Sequence, residues 1–318
     1  MNNIENILMC PNSHENLKIE NSEVRSTDNK YCYKIEDGIY RFLNEIKSSE
    51  TENVKKFYME DPFPNYNSFD NLETFIEKMK NNSFINSISK ILKPGDRVLE
   101  FGCGTGQLGN YLAANGHSEI FSADLTINSL KLGNEFTKKN NIKGINFFEC
   151  DVFKPCFKNE SFDLIICSGV LHHTIDPKKG FNNLLKMLKK NGLVIIGLYN
   201  SISRLKNSSI KYLSKIIGDK AFYLFDKVYR AKDSAARNSW VKDQYDHPLE
   251  KRYFFKDLHN WFDESNIEFI NSIPSYNNRL PFEKSVSKGD KIDQFNIQLI
   301  DLIENDEGGL FTFLGKKN

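Results

Sequence analysis

"RVLEFGCGTGQLGNYLAANGHSEIFSADLT", residues 97–126, places four glycines (Gly102, Gly104, Gly106 and Gly109) within eight residues, between an apolar run and a helical pattern. Glycine removes the Cβ that blocks close approach and admits positive φ, so the density predicts a tight strand-to-helix turn. An acid, Glu100, closes the strand before the turn, and Asp124 closes the next strand twenty residues after Gly104. Further apolar runs follow as "INFFEC" (145–150), "FDLIICSG" (162–169) and "GLVIIGLYN" (192–200). Helical patterns lie between them at 106–115, 127–140 and 178–190. Strands alternating with helices of that length predict a parallel sheet covered on both faces, whose ligands bind at the carboxyl ends of the strands.

The flanks read differently. Residues 8–20 and 30–43 are short alternating apolar pieces, which predict a small β module over 1–45, with a boundary in the polar stretch 44–53. Helical patterns cover about 69–92, and Pro94-Gly95 marks the turn into the first strand of the sheet. After Asn200 about fifty mostly helical residues form an insertion, expected as a lid over 201–250. The helix at 254–266, the strand "IEFINSIP", a polar excursion and the strand "GGLFTFLGKK" complete the chain, and the two late strands are expected to pair antiparallel.

Lys and Arg total 43 against 42 Asp and Glu, a net charge of +1, so no global field points to nucleic acid or to an acidic surface. The six cysteines are scattered, as expected for reduced thiols in a cytoplasmic protein, and no signal peptide or spanning segment is expected.

"VLEFGCGTG" resembles the first motif of class I S-adenosylmethionine-dependent methyltransferases. A nicotinamide dehydrogenase also uses a glycine turn and a following acid, but its fingerprint begins with glycine directly after the strand, whereas here Glu100-Phe101-Gly102 and Gly104-Thr105-Gly106 follow the methyltransferase form. The resemblance implies a doubly wound, mostly parallel, seven-stranded Rossmann-like sheet over 46–318, with S-adenosylmethionine as donor and S-adenosylhomocysteine as product. It assigns Glu100 to the methionyl amine and Asp124 to the ribose hydroxyls. In "CDVF" it sets Asp151 opposite the adenine amino group, with the Val152 backbone beside the ring. Gly102, Cys103, Gly104, Gly106, Leu125 and Ser168 complete the expected donor contacts. Tyr58 and Tyr66, in "FYMEDPFPNY", are candidates to touch the sulfonium through their ring faces.

The sulfonium is an activated donor, so no metal is called for, and the acceptor is expected beyond "SGVLHHT". His172 and His173 are candidate bases or acceptor ligands, with helix-start packing as the alternative. Tyr199 and Asn200 face the expected acceptor side. "WVKDQYDHP" (240–248) resembles segments of bacterial methyltransferases; its Asp243, Tyr245 and His247 alternate in a polar, aromatic stretch unsuited to a helix interior, and Tyr245 and His247 are candidate acceptor-site residues.

The leading module resembles the zinc-ribbon-type methyltransferase-activator domain, but its donors are reduced to Cys10, His14 and Cys32, with Ser13 near the first, so zinc is expected to be lost. A small-molecule acceptor, methylated at O, N, C or S, is the leading expectation. An RNA acceptor is the alternative, because residues 204–237 carry nine basic and three acidic side chains. A third reading is a catalytically inactive, cofactor-binding scaffold.

Overall fold

The computed structural model describes residues 4–43, 48–64, 66, 71–116, 119–232, 234–304 and 308–318, with backbone alone for 234–236 and 303–304. Its strands are β1 (Leu17–Glu20), β2 (Glu23–Ser26), β3 (Cys32–Glu36), β4 (Ile39–Arg41), β5 (Arg97–Phe101), β6 (Glu119–Asp124), β7 (Ile145–Glu149), β8 (Phe162–Ser168), β9 (Leu188–Tyr199), β10 (Ile267–Ile273) and β11 (Leu310–Lys317). Its helices are α1 (Ser49–Glu60), α2 (Leu72–Lys80), α3 (Ser83–Ile91), α4 (Gln107–Ala114), α5 (Ile127–Lys139), α6 (Pro177–Met187), α7 (Arg204–Ile217), α8 (Lys220–Phe225), α9 (Lys227–Ala231), α10 (Ser234–Tyr245), α11 (Phe255–Glu264) and α12 (Lys291–Glu304).

All the strands form one sheet in the order β1-β2-β3-β4-β7-β6-β5-β8-β9-β11-β10. β7, β6, β5, β8 and β9 are parallel, and β11 runs antiparallel to both β9 and β10. The winding reverses at β5, and the glycine turn follows that strand. In such sheets this switch point opens the crevice that receives a ligand.

The expected seven strands are β5–β11, but the sheet has eleven. The leading β strands extend the main sheet, because β4 pairs parallel with β7 in the register Ile39↔Phe147, Tyr40↔Phe148 and Arg41↔Glu149. The physical reason is an apolar face too small to close on itself. Leu8, Val24, Tyr33 and Phe42 join Phe121, Phe148, Phe157 and Phe162 in a single core. The Arg41 guanidinium, bonded to Glu36 and to the buried Glu149, fastens the junction. Residues 44–47 of the predicted boundary lie outside the described residues, and α1 starts just beyond them, with Ser48 accepting the Thr51 amide hydrogen bond.

The helical patterns expected at about 69–92 fall, among the described residues, into two helices, because Asn82 caps a second start by accepting from the Ile85 amide. Two local readings change. The polar excursion contains α12. Trp240–Tyr245 is helical, contrary to the expected irregular segment, because its polar tips find partners within the helical insertion that follows β9. The Trp240 indole N–H and the Tyr245 hydroxyl both donate to Asp226 Oδ2, at 2.7 and 2.9 Å. Polar-aromatic alternation here reports satisfied burial. Among the described residues no helix is long and apolar enough to cross a membrane.

Candidate functional site

A cavity of about 860 Å³ opens at the carboxyl ends of β5, β6, β8 and β9, between α1–α3 on one side and α9–α10 on the other. The two sides touch. Tyr58 donates to Asp243 Oδ1 at 2.9 Å and Lys242 pairs with Asp61, while on the sheet side the Asn128 side-chain amide of α5 holds α1 by donating to the Met59 carbonyl.

The glycine turn forms one end. Gly104 has φ 53°, and a Cβ there would lie 2.3 Å from the Phe63 carbonyl oxygen; a Cβ at Gly102 would lie 2.2 Å from a Val170 methyl. The turn is therefore pressed between two other segments of chain as well as bordering the cavity. Gly106 caps α4 and is kept small by the Phe147 ring, 2.8 Å from its would-be Cβ; contrary to expectation it does not line the cavity.

Three acids face this end. Glu100 Oε2 accepts the Gly109 amide at 3.1 Å. Burial, with a smaller push from Asp124, raises its pKa to about 8. Asp124 Oδ2 accepts the Gly104 amide at 2.8 Å, and Oδ1 accepts both the amide and the hydroxyl of Thr126, at 2.8 and 2.7 Å. Burial raises the Asp124 pKa against those bonds. Asp151 Oδ1 accepts the Phe153 amide at 2.9 Å, and burial raises that carboxyl too. Cys103, Leu125, Val152 and Ser168 also line the cavity.

The other end is polar at its wall and apolar at its roof. Asp243 Oδ2 accepts Gln244 Nε2 at 2.9 Å, and the same nitrogen donates to the Tyr199 hydroxyl at 3.0 Å. Both hydrogen-bond partners of this buried carboxylate, Tyr58 and Gln244, are neutral, and burial raises its pKa. Tyr199 lines the cavity with one ring face 3.8 Å (centroid to centroid) from the His172 imidazole and with the Arg204 guanidinium 4.1 Å from its centroid. His173 also lines the cavity. Its Nδ1 lies 2.7 Å from the Leu249 carbonyl, which can only accept, so Nδ1 carries the proton and Nε2 keeps a lone pair. Burial holds the ring neutral.

Several expected site residues lie behind the wall. His172 is fully buried, its Nδ1 accepting the Tyr199 amide at 3.3 Å, and it orients the β9 end without reaching the cavity. His247 stacks 3.5 Å from His173 as its backing, its pKa lowered by burial to about 4. Tyr245 belongs to the interior of the helical insertion, with Phe222. Asn200 bonds Asp301 at 2.8 Å, away from the cavity. Tyr66 stacks on Phe136 and donates to the Thr105 carbonyl, so of the two tyrosines only Tyr58 lines the cavity. Gln244, not singled out from sequence, occupies the wall, and its adjacency to Asp243 in "KDQY" was the one available signal. In the N-terminal segment Cys10 Sγ, ahead of β1, lies 3.2 Å from the Tyr33 hydroxyl, and Cys32 is exposed; among the described residues no cluster of His, Cys, Asp or Glu is arranged for a metal.

A family model described as a methyltransferase domain matches residues 92–251, half of the chain. The chain belongs to the methyltransferase domain family. This methyltransferase-family chain is 30% identical over 139 residues to a ubiquinone biosynthesis O-methyltransferase of Rickettsia canadensis, covering 44% of this chain and 53% of the relative. It is 26% identical to an uncharacterized protein of Synechococcus, over 55% of this chain and 48% of that one. The chain thus spans about half the length of these curated relatives. Among solved structures it shares the fold of PKMT2 from Rickettsia typhi, with a TM-score of 0.52 and 17% identity over 74% of this chain and 52% of that one.

Proposed function

We propose that the protein transfers the methyl group of S-adenosylmethionine to a small-molecule acceptor enclosed between α1–α3 and the lid. The observation that carries this reading is one continuous cavity with two chemically different ends. At the glycine-turn end, Glu100 is an enclosed carboxyl with a raised pKa, which suits a ligand bearing an ammonium group. Asp124 closes β6, Asp151 follows the end of the neighbouring β7, and both border the same end of the cavity, which supports their assignment to ribose and adenine. Bound S-adenosylmethionine would supply an activated methyl on a sulfonium. PKMT2 has been crystallised with S-adenosylhomocysteine, which agrees with this assignment.

At the other end, Asp243 and His173 Nε2 are two groups able to take a proton from a hydroxyl or amine acceptor, and Tyr199 and Gln244 orient it. Trp240, Val228 and Leu310 supply apolar wall for the acceptor's body. An aromatic or quinol-like alcohol suits that combination, in keeping with the relatives named as ubiquinone biosynthesis O-methyltransferases. Internal use of part of the insertion's positive charge favours a small molecule over RNA. Arg204 is buried against Glu250, Lys211 pairs with Asp246, and Arg237 donates to the Tyr229 carbonyl.

Calorimetric titration with S-adenosylmethionine tests the donor site. Asp124→Ala is expected to weaken binding by about 1.5–3 kcal/mol through loss of charge-assisted bonds. No binding by the wild-type protein, or unchanged affinity in the folded variant, would overturn the donor assignment. Incubating the protein with isotopically labelled donor and a metabolite extract, followed by mass spectrometry, identifies the acceptor. Label appearing only in RNA would refute the small-molecule reading.

A further inference from the structure

Helix α7 is amphipathic in the wrong sense for an ordinary surface helix. Its buried face carries Arg204, Asn207 and Ile210. Its solvent face carries Leu205, Tyr212 and Ile216, exposed by 56, 68 and 66%. These positions recur at intervals of seven and four residues, so they form one stripe on the side opposite the buried set. The stripe continues past the Gly218 turn into α8, where Tyr223, Leu224 and Phe225 are all exposed while Ala221 and Phe222 are buried. A soluble surface tolerates scattered apolar side chains, but a contiguous set of this kind marks an interaction site.

The charges around it indicate the partner. Lys215 and Lys220 are exposed on either side of the turn, and Arg230 is held at the tip by bonds to the Tyr223 and Leu224 carbonyls. Asp219 is the one exposed acid between Arg204 and Arg230, since Asp226 is buried under Trp240 and Tyr245. Apolar and aromatic side chains flanked by cations are the composition of an interfacial helix that sinks one face into an anionic bilayer. A symmetric second copy would bring the same lysines toward their own counterparts, and protein interface cores are depleted in lysine. Neither helix is long enough to span a bilayer.

We propose that the α7–α8 tip docks the protein reversibly on the surface of an anionic lipid bilayer. The geometry gives the docking a consequence. Asp226 directly follows Phe225 and caps α9, whose Val228 already lines the cavity roof. Docking therefore sets the roof beside the lipid headgroups. This holds whatever the acceptor is.

Flotation of the full chain with vesicles tests it. The protein is expected to float with vesicles of phosphatidylcholine plus phosphatidylglycerol, less with phosphatidylcholine alone, and less again as salt is raised. The double variant Ile216→Glu/Phe225→Glu removes two side chains from the lipid and should lose roughly tenfold or more in partitioning. Lys215→Glu/Lys220→Glu should lose the preference for the anionic vesicles. Both variants change exposed positions, so melting temperature and donor affinity should match the wild type, which separates lost docking from lost folding. The proposal is overturned if the wild type floats with neither vesicle, or if both variants float as it does. It is also overturned if sedimentation velocity shows a dimer that Ile216→Glu/Phe225→Glu dissociates while no vesicle is bound, because a second copy would then own the face.

Discussion

At the glycine-turn end of the cavity, Asp124 grips Gly104 and Thr126, partners no more than twenty residues away in the chain. At the lid end, Tyr58 reaches Asp243 across 185 residues, and Gln244 reaches Tyr199 across 45. The first end is made by strand termini whose positions follow from the sheet. The second is made by an insertion that must be held in place by its own buried polar network. A site with both parts can keep its donor geometry while its acceptor wall changes, because the carboxylate at each end is held by its own set of hydrogen bonds.

The strongest way to break this contrast is at Arg204, which bonds Gln244, Glu250 and the Gly308 carbonyl and lies over the Tyr199 ring. Arg204→Leu should cost about 3 kcal/mol, the lower end for a broken buried pair, since Glu250 keeps Arg252. Thermal unfolding reads the loss. Calorimetry on the folded variant should find donor affinity preserved, and a parallel collapse of affinity would show that the two ends are one cooperative unit.

Asp243→Asn tests the lid end chemically. If this carboxylate holds the acceptor's proton, single-turnover rate should fall about a hundredfold at unchanged donor affinity. An unaltered rate would pass the role to His173.

Glu100 offers a titration of the opposite end. Its carboxyl, with a pKa of about 8, is mostly neutral at pH 7 in the free protein and must ionise to face an ammonium group. Binding should therefore release a proton, and affinity should rise by up to about tenfold per pH unit as pH climbs toward 8. Comparing calorimetric heats in buffers of different ionisation enthalpy measures the release, and Glu100→Gln should abolish it. The same raised pKa works against folding. Stability associated with the neutral carboxyl is full below the ordinary value of 4.5 and is lost as pH rises through about 8.

The smallest effect is expected at Tyr245→Phe, which removes one hydroxyl bond while Asp226 keeps the Trp240 indole. A loss of about 1 kcal/mol in stability with unchanged turnover would place Tyr245 in the lid's interior. Reduced turnover at unchanged stability would return it to the acceptor wall.

Residues 97–200 were the most legible part of the chain. Buried parallel strands read as continuous apolar runs, and a turn at a strand end is a local event whose glycines and acids stand next to one another in sequence. Glu100 and Asp124 could therefore be set at neighbouring strand ends before any packing was known, whereas Asp151 was reached only through the resemblance of "CDVF" to a methyltransferase segment; all three line the cavity. The histidine pair shows the limit. His172 and His173 are adjacent, yet only His173 lines the cavity, because the short 3-10 turn Leu171–His173 points the two rings differently, one beneath Tyr199 and one toward the Leu249 carbonyl. Spacing alone does not say which of two neighbours faces a wall.

By itself, then, the sequence determined the alternating α/β order, the glycine turn at the switch point and the acids around it, since each depends on side-chain periodicity and backbone freedom over a few residues. Tertiary structure alone decided that the N-terminal strands extend the main sheet, that Asp226 takes the polar tips of both Trp240 and Tyr245, and that Asp243, Gln244 and Tyr199 meet. Those outcomes depend on which distant partner satisfies a buried apolar face or polar atom, and that choice is made only when the whole chain packs.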